Sequence, residues 1–279
     1  MSLEKSDKIT NVSITLSECV ENHHSMKTHG TIADVGQGLH LCDLEEIKQN
    51  LEEVGVVSHI MQLECYEDME TIDVSIEPPE DAYVLIIPNA VNMLLQLDSS
   101  EFTQQDMYEE QCNLKHDKQA FMKGKVVNKH ARWNLCFGET ACEPAYDEKQ
   151  GTIVAYDDVP ITQLMISQVE KHFGAKAVDL RGEGNYYYDP KKTGIGFHGD
   201  AERRKVFGIR LADEGTDTPP LHFQWFRKSK PIGERIIIPL NAGDMYVMSE
   251  KAVGTDWLKK NIYTLRHATG APNYTTIKA

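Results

Sequence analysis

A glycine-rich run, Gly194-Ile195-Gly196-Phe197-His198-Gly199-Asp200, ends in a His-x-Asp pair, and a further histidine follows far downstream in Thr264-Leu265-Arg266-His267-Ala268. Two imidazoles and one carboxylate can occupy one face of a metal and leave the opposite face open, the arrangement of mononuclear non-haem iron sites. In an extended strand, residues i and i+2 point to the same side, so His198 and Asp200 can reach one ion without distorting the backbone. His267 is the expected third ligand. His222, in Leu221-His222-Phe223-Gln224-Trp225, is expected to be an ordinary strand residue.

The same run also matches G-x-G-x-x-G, the dinucleotide fingerprint. That motif needs a buried apolar strand before it and a helix after it. The preceding Asn185-Tyr186-Tyr187-Tyr188-Asp189-Pro190-Lys191-Lys192-Thr193 is polar and turn-like, so the metal reading is preferred.

Working outward, turn residues separate a series of short strand patterns, at 194–198, 205–211, 220–226, 234–240, 244–248, 262–269 and 273–278. Upstream of them, Pro160 to Phe173 has the clearest helical period. Pro160 suits the first turn, Ile161, Leu164, Met165, Val169 and Phe173 form the stripe, and Gly174 stops it. Asp43 to Val54 is a second amphipathic helix with Asp43 as expected N-cap, and Tyr83 to Leu95 reads as strand, turn and apolar helix. Val12 to Leu16 alternates like a short strand. Helices followed by many short strands predict an α+β chain with a double-stranded β-helix (jelly-roll) core, supporting helices and an acidic N-terminal extension. An acidic stretch with Pro78-Pro79 places the boundary near residue 80. The expected units are residues 1–80, of unknown role, and 81–279, carrying the site.

The chain of 279 residues has a formal net charge of −14, unevenly placed. Residues 1–110 hold 23 acidic and 4 basic side chains, and the remainder holds 20 and 25. Local field rather than total charge governs polyanion binding. Lys115, Lys118, Lys123, Lys125, Lys129 and Arg132 lie close together ahead of Trp133 and Phe137, a pattern that suits a nucleic-acid groove. The equally weighted alternative is a solvated basic face with its aromatics in the core. No run approaches the ~18 apolar residues of a membrane span. The charged start lacks a secretory signal, and six cysteines without C-x-x-C spacing read as reduced thiols. An intracellular protein is expected; its oligomeric state is left open.

At this point the chain resembles the iron(II)/2-oxoglutarate-dependent dioxygenases over roughly residues 80–279. Arg132-Trp133-Asn134-Leu135-Cys136-Phe137-Gly138, Asn185-x-Tyr187 ahead of His198-x-Asp200-x-Glu202, and Ala242-Gly243-Asp244-Met245-Tyr246-Val247-Met248 resemble AlkB-type nucleic-acid dealkylases. The spacing from His267 to Lys278 is similar to the prolyl- and lysyl-hydroxylase branch. The resemblance implies His198, Asp200 and His267 as iron ligands, with Fe(II), 2-oxoglutarate and O2 as cofactor and cosubstrates. Lys278 would hold the far carboxylate of 2-oxoglutarate, Thr276 would add a hydroxyl, and Asn185 and Tyr187 would contact the cosubstrate. Arg266 is the fallback cation. The implied activity is hydroxylation of a C–H bond, on a modified nucleobase first and a protein side chain second. A catalytically silent binding module of the same fold is the third reading.

Overall fold

The computed structural model describes residues 8–65 and 77–277. Among them the strands are β1 (Asn11–Ser17), β2 (Cys19–Glu21), β3 (Thr28–Gly30), β4 (His59–Gln62), β5 (Tyr83–Ile87), β6 (Gln119–Met122), β7 (Lys125–Asn128), β8 (Trp133–Gly138), β9 (Ile153–Ala155), β10 (Arg181–Tyr187), β11 (Gly194–His198), β12 (Val206–Ala212), β13 (Leu221–Arg227), β14 (Lys230–Ile238), β15 (Met245–Met248) and β16 (Tyr263–Gly270). The helices are α1 (Leu41–Glu53), α2 (Ala90–Gln96), α3 (Gln104–Cys112), α4 (Pro160–His172), α5 (Glu250–Val253) and α6 (Pro272–Thr275). The protein is a mixed α+β chain dominated by strands. None of the described helices is long and apolar enough to cross a membrane.

A large sheet runs β4-β5-β15-β12-β1-β10-β8-β9, and a small one runs β11-β16-β13-β14. The large sheet is antiparallel except where β8 meets β9. Alternation along its central strands decides what each face does. On β1, Val12, Ile14 and Leu16 enter the main apolar core, as do Phe207, Ile209 and Leu211 of β12 and Tyr186 of β10. That core is closed by Leu44, Ile47 and Leu51 of α1, Val91 and Leu94 of α2, and Met165 and Val169 of α4. The opposite face presents Ser13 and Thr15, Glu183, Asn185 and Tyr187, and Arg210 to a cavity. A second core, with Val84, Phe223, Trp225, Leu265 and Met248, fills the space beside it.

Three expectations change. The segment before residue 80 is not set apart: β1 pairs with both β10 and β12 at the centre of the large sheet, and β4 and α1 join the same sheet and core. Asp43, Glu45, Glu46, Glu52 and Glu53 ride on α1, whose apolar face joins that core. The strand expected at 273–278 is instead the short helix α6, where Pro272 takes the first helical position that proline's fixed φ suits. Residue 278 lies outside the described residues. Asp43 is not the N-cap of α1: it sits at the third helical position and accepts from the His40 amide at 2.7 Å, one half of a capping box.

Candidate metal site

β11 and β16 are adjacent and antiparallel, with His198 directly opposite His267. Asp200 lies just past the end of β11, and its amide donates to the Val253 carbonyl at 3.0 Å. This turn needs Gly199, because a Cβ there would lie 1.9 Å from the Gly254 carbonyl oxygen. One ligand atom from each of His198, Asp200 and His267 falls within 4.8 Å of the others. The expected triad is therefore brought together, although Asp200 reaches it from a turn rather than from the strand. His222 is elsewhere, paired with Ala268.

The protonation pattern fits a cation between these groups. His198 Nδ1 faces the carbonyl oxygens of Gly196 and His267, at 2.8 and 3.1 Å. Two acceptors at Nδ1 require its proton there, which leaves the Nε2 lone pair facing Asp200 Oδ1 at 3.3 Å. His267 Nε2 lies 3.8 Å from the same oxygen. Burial, and then the neighbouring His198, pull His267 down to about 4 despite Asp200, so at neutral pH it too offers a lone pair. For Asp200 the largest influence is burial, which pushes upward. The Arg203 guanidinium leads the groups that outweigh it and hold the carboxyl well below its usual range. Lone pairs crowd around a carboxylate, and a divalent cation would satisfy all of them.

Arg203 also fixes the far oxygen of Asp200. Its Nε is 3.7 Å from Asp200 Oδ2, and its Nη2 donates to Glu183 Oε2 at 2.8 Å and to Glu202 Oε1 at 2.8 Å. Arg203 and Glu183 are both buried. Removing one partner of a buried ion pair typically costs about 3–5 kcal/mol. Glu183→Ala is therefore expected to lose stability of that order in urea unfolding and to weaken metal binding.

The cavity has a volume of about 600 Å³. Besides the triad it is lined by Glu21, His23 and His24 on one wall, Asn185 and Tyr187 beside Arg132, and Ser13, Arg210, Tyr246 and Thr269 at its inner end. Asn185, Ser13 and Arg210 lie side by side in register across β10, β1 and β12. Asn185 Oδ1 accepts from Arg132 Nε and from Asn134 Nδ2. Burial, with Glu202 and Glu183 adding repulsion, pushes Glu21 up to about 8. Asn185 and Tyr187 both line the cavity that holds the triad.

Of the expected cations, Arg266 does not line it. Arg266 alternates away from His267: its guanidinium lies 4.0 Å from the Phe226 ring and donates to the Trp257 carbonyl at 3.2 Å. Thr276 is exposed beyond α6, and Lys278 lies outside the described residues. Arg210 is the cation at the inner end of the cavity. It is 1% exposed, its Nη2 donates to Thr269 Oγ1 at 3.0 Å, and Nε and Nη1 have no partner. In sequence it is the lone charge within Val206-Phe207-Gly208-Ile209-Arg210-Leu211-Ala212. Such a charge is almost never fully buried without a partner.

The basic stretch is dispersed as well. Lys129 is half-buried and donates to Asn22 and Asn134, with Asn22 in turn donating to buried Asp117 at 2.6 Å. Burial brings Lys129 down to about 8. Lys118 sits 4.1 Å over the Trp133 ring, and Arg132 faces the cavity. Lys115, Lys123 and Lys125 remain exposed. The residues expected on one groove thus point to separate places, and Lys129 serves the fold.

Locking Asn22 inward turns its neighbours His23 and Glu21 toward the cavity. Burial, followed by His24, Lys129 and Arg132, brings His23 down to about 4 from an ordinary 6.5. Below pH 6.5 the unfolded chain takes up a proton that the folded chain refuses, so this contribution to stability is present above that pH and lost toward pH 4. Urea midpoints measured across that window should vary less with pH in His23→Gln than in wild type.

Fold and cluster together define a strand-dominated α+β protein with a His-Asp-His group able to hold a metal. No protein-family model matches the chain. It is 41% identical, over 263 residues covering 94% of this chain and 96% of the relative, to the uncharacterized protein R156 of Acanthamoeba polyphaga mimivirus. The chain belongs to the same family as that viral protein.

Proposed function

We propose that the protein is an Fe(II)- and 2-oxoglutarate-dependent dioxygenase that hydroxylates a C–H bond, with a modified nucleobase as the favoured substrate. The carrying observation is Arg210: a buried guanidinium with two unpartnered donors, opening on the same cavity as the triad. A metal alone would not call for it. A ligand with a metal-chelating end and a distant carboxylate would, because an unpaired buried charge is costly. The AlkB-like Asn185 and Tyr187 line the same wall, which favours the nucleobase over a protein side chain. The prolyl-type alternative leans on Lys278, and Arg210 removes the need for it.

The architecture supports a double-stranded β-helix. From β10 to β16 the chain crosses repeatedly between the large and small sheets, and β1 fills the slot between β10 and β12. Bound iron with 2-oxoglutarate and oxygen supplies an oxidant for the substrate C–H bond, releasing succinate and carbon dioxide. His198, Asp200 and His267 would hold that ion from one side. Arg203 keeps Asp200 turned toward it, Arg210 with Thr269 would anchor the cosubstrate's far carboxylate, and Glu21 and His23 face the remaining space. Iron-dependent succinate release, screened over modified nucleic acids and peptides, tests the reading. No release with any substrate, and no binding of 2-oxoglutarate, would sink it.

A further inference from the structure

The cavity mouth carries an arginine–aromatic array that the metal and cosubstrate do not use. Arg235 lies 5.2 Å from the ring centre of Phe197, and Phe197 lies 6.3 Å from Phe226. Arg266 stands 4.0 Å from Phe226 and 5.1 Å from Trp257. Phe197, Trp257 and Leu258 line the cavity itself, so the array is continuous with the entrance. Leu258 is 68% exposed, and Lys259 and Lys260 follow it on the surface. Lys228 and Lys230 are exposed at the β13–β14 turn. Across 226–236 and 257–267 the chain places seven Lys or Arg residues, against Glu234 as the one acid, in a protein whose net charge is −14.

This concentration sets a local field opposite in sign to the molecule's total charge. A guanidinium held on an aromatic face has lost much of its freedom already and still directs N–H groups outward in its plane. The surface thus offers fixed charge and flat stacking planes. An acidic peptide would use the charge alone, whereas a nucleic acid single strand uses both.

We propose that this rim, formed by β13, β14 and the 257–266 segment, docks a single-stranded nucleic acid and leads one base toward the cavity. The proposal rests on the nucleobase reading above and moves the docking surface away from the 115–132 stretch. A single strand fits better than a duplex, because a stacked base cannot enter a cavity this deep unless it is turned out of its helix.

The test is fluorescence anisotropy with a labelled single-stranded oligonucleotide of mixed sequence, across a salt series. The proteins compared are wild type, Lys230→Glu/Arg235→Glu, Lys259→Glu/Lys260→Glu and, on the distant hairpin, Lys123→Glu/Lys125→Glu. Each rim pair should weaken binding about tenfold or more and lower the log–log salt slope by about 0.7 for each phosphate left without its cation. The hairpin pair should bind as wild type does. Unchanged binding in both rim pairs, a loss confined to the hairpin pair, or equal affinity for polyglutamate at the same salt would overturn the proposal. Calorimetric 2-oxoglutarate binding on the same proteins keeps the two ideas apart: its absence from wild type sinks the dioxygenase reading, while its presence without a rim effect sinks only the docking surface.

Discussion

Asp200→Ala and His198→Ala are expected to bind ferrous iron at least about 100-fold more weakly than wild type and to release no succinate at matched iron. Even outer partners of metal ligands typically cost about 10–100-fold when removed, and these residues are the ligands themselves. The two variants should differ in stability. His198 is partly exposed, and its removal relieves the repulsion between its lone pair and Asp200, 3.3 Å away, so His198→Ala should melt close to wild type. Asp200 is also a partner of buried Arg203, so Asp200→Ala should melt lower. His267→Ala should lose iron as well, whereas His222→Ala should keep it. Metal titration with parallel thermal melting checks all four. Wild-type iron affinity in Asp200→Ala would remove the cluster as a metal site.

What is legible in the sequence depends on whether the signal is local. The period of α4, with Pro160 and Gly174 at its ends, depends on neighbouring residues, and the helix forms where that period places it. The same holds for the alternation of Val12 to Leu16 and for the order of strands from residue 194 to 270. The meeting of His198 and His267 is legible because a metal-ligand pattern carries its own long-range information.

The misses come from pairing across long sequence distances. Nothing near Asn11 announces that β1 inserts between β10 and β12, far along the chain, where Ile14 falls in register with Gly184 and Ile209. After residue 271, Pro272 starts a helical turn where a strand pattern was expected. Charge counting fails for a related reason. It registers Lys129 and Lys123 alike, yet one is half-buried and bonded to Asn22 and Asn134 while the other is exposed. Arg210 escapes a reading that looks for a cation downstream of the third ligand, because it reaches the cavity from the neighbouring sheet.

Arg210 is where the second large effect should fall. The guanidinium is buried in a strand whose other face is core, so its position is set by β1 on one side and β15 on the other. Thr269 takes one donor, and Nε and Nη1 remain. A carboxylate at the inner end of the cavity would take one edge of the plane, Nη2 together with either Nε or Nη1, in a two-point contact beside Thr269, the geometry a guanidinium is built for. Losing a charge-assisted hydrogen bond costs roughly 1.5–3 kcal/mol, or about 10- to 150-fold in affinity, and removing a two-point contact should reach the upper part of that range. Arg210→Met is therefore expected to raise the 2-oxoglutarate Kd by about 100-fold in calorimetry while iron binding stays near wild type. Because no described ion pair of Arg210 is broken, the apo-protein should not be destabilised, and removing an unpaired buried charge should raise its melting temperature. Arg210→Lys should recover only part of the affinity, since a point charge cannot reproduce the two-point contact. An unchanged Kd in Arg210→Met, with the weakening appearing in Arg266→Ala instead, would mean that the carboxylate lies toward Phe226 and Trp257 and that the inner end of the cavity serves another ligand.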